Sequence, residues 1–402
     1  MWRDTAAGTQ VTPSSALTGG ATGRVVSASV LSLPSERAVM KRTVAGALAA
    51  VGGGLGLAVV NRALADRAEK LEPPLPGERR TYRWRGLDVS YTEAGDPDDP
   101  DLLLVHGINA AATSREFEPI VDRLADRFHV LAPDLPGFGC SERPPLVYSA
   151  SLYESFLTEF ASEHTDEAVC VAASLSSAYA VGAATDESVD FSRLVLVCPT
   201  ATTVPGQRLG LRTLLRAPLV GTALFNLVAS RPSIDYFASD HGYYDADRKP
   251  EGLAEYQWQS AHRPGARYAP ASFVSGYLDA DLDLGSTLPE LDVPTTLVWG
   301  REAEITPLST GRDLADATGC RLVVVDYCTL QPHAEHPGRF LEIVADETGV
   351  DLARDDGATI AVEDASAGAD DAERDESGAA TESESESEAD SEAESEAEGG
   401  DV

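Results

Sequence analysis

Three segments of this sequence carry the residue types that nucleophilic chemistry on a carbonyl group uses. The apolar run Leu102–Val105 ends in His106 and Gly107, and further along the chain a second apolar run leads into Asp134 and the sequence DLPGFGCS. The third segment, VCVAASLSSA, places Ser174 between an apolar run and a stretch of small residues. A serine hydroxyl at such a turn can attack a carbonyl carbon if a neighbouring base accepts its proton.

The order of these segments resembles that of the α/β-hydrolase superfamily, especially members with a helical cap inserted after the sixth strand. The resemblance extends from Arg80 to Asp346, and the pair HG followed by DLPGFGCS is specific to that fold. It implies that Ser174 is the nucleophile, at a strained strand-to-helix turn whose flanking residues must be small. Ala172 and Ser176 stand two residues before and after the serine, where glycine is usual.

The resemblance also implies an oxyanion hole, in which backbone N–H groups stabilise the negative charge that develops on the attacked oxygen. Its two donors are predicted to be the N–H groups of Leu175 and Ile108. His106 and Gly107 are predicted to support the loop that carries Ile108.

The position of the triad acid departs from the family pattern. In the family, the aspartate follows three residues after a strand that ends in Trp-Gly, here Trp299-Gly300, and that position is Ala303. Glu302 and Glu304 flank it, and either could serve as the acid although each is one residue out of register.

The position of the triad histidine departs as well. When the chain is aligned on Glu335 and Pro337, which open the last helix, the catalytic histidine falls at Leu330. His333 lies three residues further on and is the candidate for a relocated base, with a structural or surface role as the alternative. His336 is predicted to be solvated at the start of the helix.

Two functions are therefore predicted. The first is a serine hydrolase with a relocated acid and base, cleaving an ester or another acyl bond of a small apolar substrate. The alternative is a non-catalytic homologue that binds a small apolar ligand or a partner protein. A serine nucleophile argues against dehalogenase or epoxide-hydrolase chemistry, since those relatives use an aspartate. No cofactor is predicted, and no spacing of ligand residues indicates a metal site.

The elements that must position these residues follow from hydrophobic patterning. Two alternating runs joined by Arg85-Gly86 predict a β-hairpin, and six later apolar runs without alternation predict parallel strands buried on both faces. Runs with helical spacing lie between them, so the fold class is α/β, a doubly wound and mostly parallel sheet. Thr113 and Glu116 form a capping-box pattern at the first of these helices. The long segment after the sixth strand contains helical stretches at Arg212–Ala229 and Gly252–Ser260 and is predicted to be a lid.

Charge sets this chain apart from an ordinary globular protein. Its formal net charge is −35, with 66 acidic residues against 31 lysines and arginines. We interpret this excess as adaptation to concentrated salt, in which self-repulsion is screened over about 3 Å; an acidic tail that dominates the sum is the alternative. Nucleic acid is excluded as a partner, because almost nothing in the chain would neutralise phosphates. The five cysteines, without a CxxC pair, indicate reduced thiols.

The uncharged run Thr43–Val60 just reaches the length of a membrane span. It predicts association with a membrane through a single N-terminal segment, with the domain otherwise cytoplasmic. A cleaved signal peptide, ending near Ala65, and a packed soluble helix remain open as alternatives.

These patterns divide the chain into seven segments. They are an N-terminal extension of low complexity (1–39), the candidate membrane anchor (40–62), a linker (63–79), the first part of the hydrolase core (80–199), the helical lid (200–294), the second part of the core (295–348) and an acidic disordered tail (349–402).

Overall fold

The apolar runs of the sequence form the strands of one sheet. The computed structural model describes residues 53–68, 70–352 and 362–364. Within these residues the strands are β1 (Glu78–Trp84), β2 (Leu87–Ala94), β3 (Asp101–Val105), β4 (His129–Pro133), β5 (Ala168–Ala173), β6 (Phe191–Val197), β7 (Thr295–Gly300), β8 (Arg321–Val325) and β9 (Val362–Asp364). Their order in the sheet is β1-β2-β4-β3-β5-β6-β7-β8-β9.

The central strands β3 to β8 run parallel, whereas β1, β2 and β9 pair antiparallel at the two ends of the sheet. The helices between these strands are α2 (Glu118–Ala125), preceded by a 3₁₀ turn at Ser114–Phe117, α3 (Ala150–His164), α4 (Ser176–Ala184), α11 (Leu308–Thr318), α12 (Pro332–Glu335) and α13 (Pro337–Thr348). Apolar side chains of α2 and α13 pack on one face of the sheet, and those of α3 and α4 pack on the other. The predicted doubly wound α/β fold is therefore confirmed.

A helical insertion separates β6 from β7. It contains α5 (Leu209–Arg216), α6 (Val220–Val228), α7 (Arg231–Phe237) followed by a π-helical turn (Ala238–Gly242), α8 (Leu253–Ala261), α9 (Tyr268–Phe273) and α10 (Leu284–Thr287). The prediction of one helical stretch over Arg212–Ala229 is wrong, because the chain bends by 101° between α5 and α6. Pro218 lies at this break, and proline cannot continue a helix because it lacks the N–H donor.

The insertion contacts the loops that follow the carboxyl ends of the strands. The hydroxyl of Tyr243 donates to Gln331 Oε1 at 3.0 Å, and the backbone N–H of Tyr244 donates to Glu335 Oε2 at 2.6 Å. Ala111, in the loop after β3, packs in one apolar cluster with Phe225 and Trp258 of the insertion. The insertion therefore lies against the edge of the sheet where the predicted site residues emerge.

The two ends of the described chain bear on the predicted anchor and tail. Residues 53–67 form helix α1, so the predicted membrane segment Thr43–Val60 is described only in its second part. Among the described helices none alone is long and apolar enough to cross a membrane, while the bent pair α5 and α6 passes a test of length and composition. Val362–Asp364 forms an edge strand and Leu352 is buried, although disorder is predicted there. The extension 1–39 and the tail beyond residue 364 lie outside the described residues.

Candidate functional site

The turn between β5 and α4 holds Ser174 in a strained conformation. Its φ is +54°, in the left-handed region that non-glycine residues rarely adopt. The backbone N–H of Ser174 donates to the carbonyl of Val197 at 2.8 Å, which fixes the turn to β6. Backbone strain of about 1–3 kcal/mol at such a position persists only where surrounding contacts hold it. The side chain of Ser174 is half-buried at the carboxyl end of the sheet.

Ser176, which replaces the usual glycine, has a structural role in the turn. Its buried hydroxyl donates to the carbonyl of His106 at 2.7 Å. The next hydroxyl, that of Ser177, donates to the carbonyl of Ala172 at 2.9 Å. A serine therefore fits at this close approach of strand and helix because it is small and finds an acceptor, and it links the nucleophile turn to the loop after β3.

The loop after β3 passes directly beside Ser174. A Cβ placed on Gly107 would lie 3.6 Å from the Cβ of Ser174. The backbone N–H groups of Ile108 and Leu175, the predicted oxyanion donors, make no hydrogen bond to any residue in the described part of the chain. Two unpaired donors beside a serine at a strained turn provide the elements of an oxyanion hole.

His106 supports this loop through its two ring nitrogens. The backbone N–H of Leu135 donates to Nε2 at 3.0 Å, so Nδ1 carries the proton and donates to the carbonyl of Gly107 at 2.7 Å. Burial lowers the pKa of His106, which keeps the ring neutral. A histidine with both nitrogens engaged in this way is not a base for Ser174.

Asp134 holds the neighbouring loops together. Its carboxylate accepts hydrogen bonds from the hydroxyl of Thr113, from the N–H and hydroxyl of Ser114, and from the N–H of Cys140. The following Gly139 has a φ of +46° and approaches so closely that a Cβ would overlap the carboxyl group. The role of Asp134 was not predicted, although the DLPGFGCS sequence that contains it was recognised.

Glu116 has a different role from the one predicted. The capping-box prediction is correct for Thr113, whose hydroxyl caps the 3₁₀ turn by accepting from the backbone N–H of Arg115, and wrong for Glu116. Oε1 of Glu116 accepts from the backbone N–H of Gly107 at 2.9 Å instead of returning to the start of its own helix. Burial raises the pKa of this carboxyl to about 8, so the protonated form predominates at neutral pH. Glu116 therefore orients the peptide that precedes Ile108, the predicted oxyanion donor.

The structure places neither glutamate of the predicted acid pair beside a histidine base. Oε2 of Glu302 accepts from the backbone N–H of Cys328 at 2.9 Å and holds the loop after β8. The side chain of Glu304 is 78% exposed, and Oε2 lies 3.9 Å from Nδ1 of His241 in the insertion. Ala303, at the aligned position of the acid, is buried in an apolar cluster.

His333, the predicted relocated base, is fully buried away from any hydrogen-bond partner. Neither ring nitrogen is paired within the described residues, so the ring makes no hydrogen bond to Ser174. It packs against the ring of Phe117 with centroids 4.9 Å apart, and its Nε2 lies 3.8 Å from Oε1 of Glu116. Burial lowers the pKa of His333 to about 3, so at neutral pH this contact joins two neutral groups.

Leu330, at the aligned position of the catalytic histidine, packs against the same apolar cluster that contains Ile108, Leu175 and Ala303. His336 is buried and not solvated as predicted: its Nε2 donates to the carbonyl of Tyr327, and its Nδ1 accepts from Arg248. All seven histidines of the chain lie among the described residues, and none of them hydrogen-bonds to Ser174.

The five cysteines are all free thiols. In the part of the chain that the structure describes, no group of three or more metal-ligating side chains comes together.

A parallel sheet with a strained serine after β5 and a glycine turn after β3 defines a protein of the α/β-hydrolase class. A family model described as "Alpha/beta hydrolase family" matches residues 102–343. This chain therefore belongs to the alpha/beta hydrolase family.

Characterised and uncharacterised hydrolases are among its relatives. An uncharacterized hydrolase of Saccharomyces cerevisiae is 46% identical over 59 residues, which cover 15% of this chain and only 20% of that protein. A 2-hydroxymuconate semialdehyde hydrolase of Pseudomonas sp. is 26% identical over 255 residues, or 61% of this chain and 85% of the relative. The solved structure of a 2-hydroxy-6-oxo-6-phenylhexa-2,4-dienoate hydrolase from Rhodococcus sp. shares the fold, with a TM-score of 0.57 at 21% identity, covering 68% of this chain and 99% of that one.

Proposed function

We propose that this chain binds a small apolar ligand bearing a carboxylate or acyl carbonyl group, and that it does so without efficient hydrolysis. The observation that carries the proposal is the surroundings of Ser174: no histidine bonds to its hydroxyl, and Ala303 and Leu330 stand at the aligned acid and base positions. A serine without a base keeps an ordinary hydroxyl and is a poor nucleophile.

The same site retains what recognition of a carbonyl or carboxylate oxygen requires. Within the described residues the N–H groups of Ile108 and Leu175 make no hydrogen bond, and the loop that carries the first is held by Glu116 and His106. Leu330 and Ala303 belong to the same apolar cluster as Ile108 and Leu175, and apolar side chains suit a hydrocarbon chain. The ligand oxygen would accept from the two N–H groups while its apolar part contacts the cluster.

Matched ligands and variants test this proposal. Octanoate is expected to raise the melting temperature and to give a saturable calorimetric signal, whereas octylamine, of equal length and opposite charge, is expected to do neither. Ser174→Ala should retain binding, because the donors are backbone groups. Leu330→Glu should weaken octanoate binding at least about tenfold by like-charge repulsion, and Leu330→Gln is the neutral control. Equal binding of octylamine, or no difference between the two Leu330 variants, would contradict the proposal.

A serine hydrolase acting on an ester or other acyl bond is the second candidate, and the strain at Ser174 favours it. Strained backbone at non-glycine residues is concentrated at functional sites, and the related Pseudomonas protein is named a hydrolase. Turnover of short-chain p-nitrophenyl esters that disappears in Ser174→Ala would favour this candidate over binding alone.

A further inference from the structure

A segment that runs from β6 into the insertion has a charge opposite to that of the rest of the chain. Residues 191–234 include no aspartate or glutamate in a protein with 66 of them, and this is the longest acid-free stretch of the sequence. The segment carries five arginines, of which Arg193 and Arg231 form ion pairs with Glu347 and Glu255. The other three are Arg208, Arg212 and Arg216. Helices α5 and α6 lie within this segment.

Helix α6 presents its apolar face outwards. Val220, Leu224, Leu227 and Val228 follow helical spacing on one face, and all four are exposed, Leu227 by 69%. The adjoining side of the helix, with Gly221 and Phe225, is buried in the insertion. A helix on the surface of a soluble protein normally turns its apolar stripe to the core and its polar face to water. Here both faces are apolar, and no residue of α6 is charged.

Neighbouring elements extend this exposed apolar surface. Arg216 donates to the carbonyl of Leu146, which brings the exposed Leu146 and Val147 beside α5. Asn61 of α1 donates to the carbonyl of Leu219 and accepts from Asn226, which fixes α1 against α6. We name the combined surface the apolar platform: Leu55, Val59 and Val60 of α1, Leu146 and Val147, Leu209 and Leu214 of α5, and Leu219, Val220, Leu224, Leu227 and Val228 on α6.

Arginines accompany the platform on α5. Arg208 is exposed immediately before α5, and the guanidinium of Arg212 stacks over the ring of Tyr277 at 3.4 Å. The platform is apolar and is flanked by arginines, although the whole chain has a net charge of −35. An anionic lipid bilayer has apolar acyl chains inside and negatively charged headgroups at its surface, so it complements the platform. Residues 54–60 of the uncharged run lie in α1, which contributes Leu55, Val59 and Val60 to the platform.

We propose that the apolar platform is the surface through which this protein binds an anionic lipid bilayer, with α6 lying in the plane of the interface. Apolar side chains enter the boundary between headgroups and acyl chains, while Arg208 and Arg212 contact lipid phosphates. The sharp bend between α5 and α6 suits helices that rest on a membrane. An apolar ligand could then pass between the bilayer and the site that the insertion adjoins.

Co-sedimentation of the full-length chain with vesicles tests the proposal. The chain is expected to bind vesicles of phosphatidylglycerol more tightly than vesicles of phosphatidylcholine. The double variant Val220→Glu with Leu227→Glu places two acidic groups on the exposed face of α6 and should weaken binding to phosphatidylglycerol at least about tenfold. Ile305→Glu, a change at an exposed apolar residue after β7, is the matched control and should bind as the natural chain does.

Each other outcome would overturn the proposal. Unchanged binding by the double variant would assign membrane association to another segment, such as Thr43–Val60. Equal affinity for phosphatidylglycerol and phosphatidylcholine vesicles at low salt would show that the arginines do not select anionic lipid. A natural chain that binds neither vesicle, and whose self-association in gel filtration disappears in the double variant, would assign the platform to contact between copies of the chain.

Discussion

The double variant Leu330→His with Ala303→Asp is expected to hydrolyse short-chain p-nitrophenyl esters at least about 100-fold faster than the natural chain. A positioned general base contributes roughly 10²–10⁴-fold to such a reaction. Ser174 already has its strained turn, and the predicted oxyanion donors, the N–H groups of Ile108 and Leu175, make no hydrogen bond within the described residues. The two substitutions return the acid and the base to the positions at which the family has them, so turnover should appear without any other change.

Two controls make this gain interpretable. Adding Ser174→Ala to the double variant should return the rate to that of the natural chain, because the gain requires the nucleophile. Each single variant should gain much less, since a histidine without its acid is poorly oriented and an acid without histidine does not contact the serine. A folded double variant that binds octanoate but shows no gain would mean that Leu330 and Ala303 do not face Ser174.

The second large effect concerns stability and involves Glu116. Its carboxyl has a pKa of about 8 in the folded chain and 4.5 as the ordinary value, so the folded state retains a proton that the unfolded state has lost. The contribution of the Glu116 carboxyl to the free energy of unfolding is fully present below pH 4.5 and is lost as the pH rises to about 8. In that window the free energy of unfolding should fall by about 1.4 kcal/mol per pH unit from this group. Glu116→Gln, which resembles the protonated carboxyl and can accept from Gly107, should not show this loss.

Denaturant unfolding between pH 5 and 9 measures the effect as the difference between the natural chain and Glu116→Gln, so that titrations common to both cancel. Glu116→Ala should be less stable than Glu116→Gln at every pH, because the buried N–H of Gly107 loses its acceptor. Parallel pH profiles for the natural chain and Glu116→Gln would show that the carboxyl titrates normally and that its burial does not govern its charge.

The central strands β3 to β8 were predictable because each is a short apolar run, as expected of a parallel strand buried on both faces. The run that forms β5, for example, is entirely buried. Ser174 was predictable for a related reason, since the small residues around it record the close approach of strand and helix. These features depend on local sequence, and so the fold and the strained turn at Ser174 could be inferred without coordinates.

Contacts between loops were not predictable in the same way. The pattern Thr113 to Glu116 favours a local cap, yet the glutamate bonds to Gly107, because the loop after β3 brings that N–H within reach. The hydroxyl of Ser176 finds its acceptor in His106 only when two strands are already aligned. His333 has the spacing of a shifted base, and its burial against Phe117 depends on how α12 packs on the 3₁₀ turn before α2. Pro218, in contrast, indicates the break between α5 and α6 from the sequence alone. The prediction of one helix did not take this proline into account.

Labelling with a fluorophosphonate probe, followed by intact-mass measurement, tests most directly whether Ser174 is an activated nucleophile. The probe reacts with a serine whose proton a base accepts, so the natural chain is expected to remain unlabelled under conditions that label the Leu330→His, Ala303→Asp variant completely. Rapid stoichiometric labelling of the natural chain that is lost in Ser174→Ala would contradict the proposed function, because a base would then have to reach the serine.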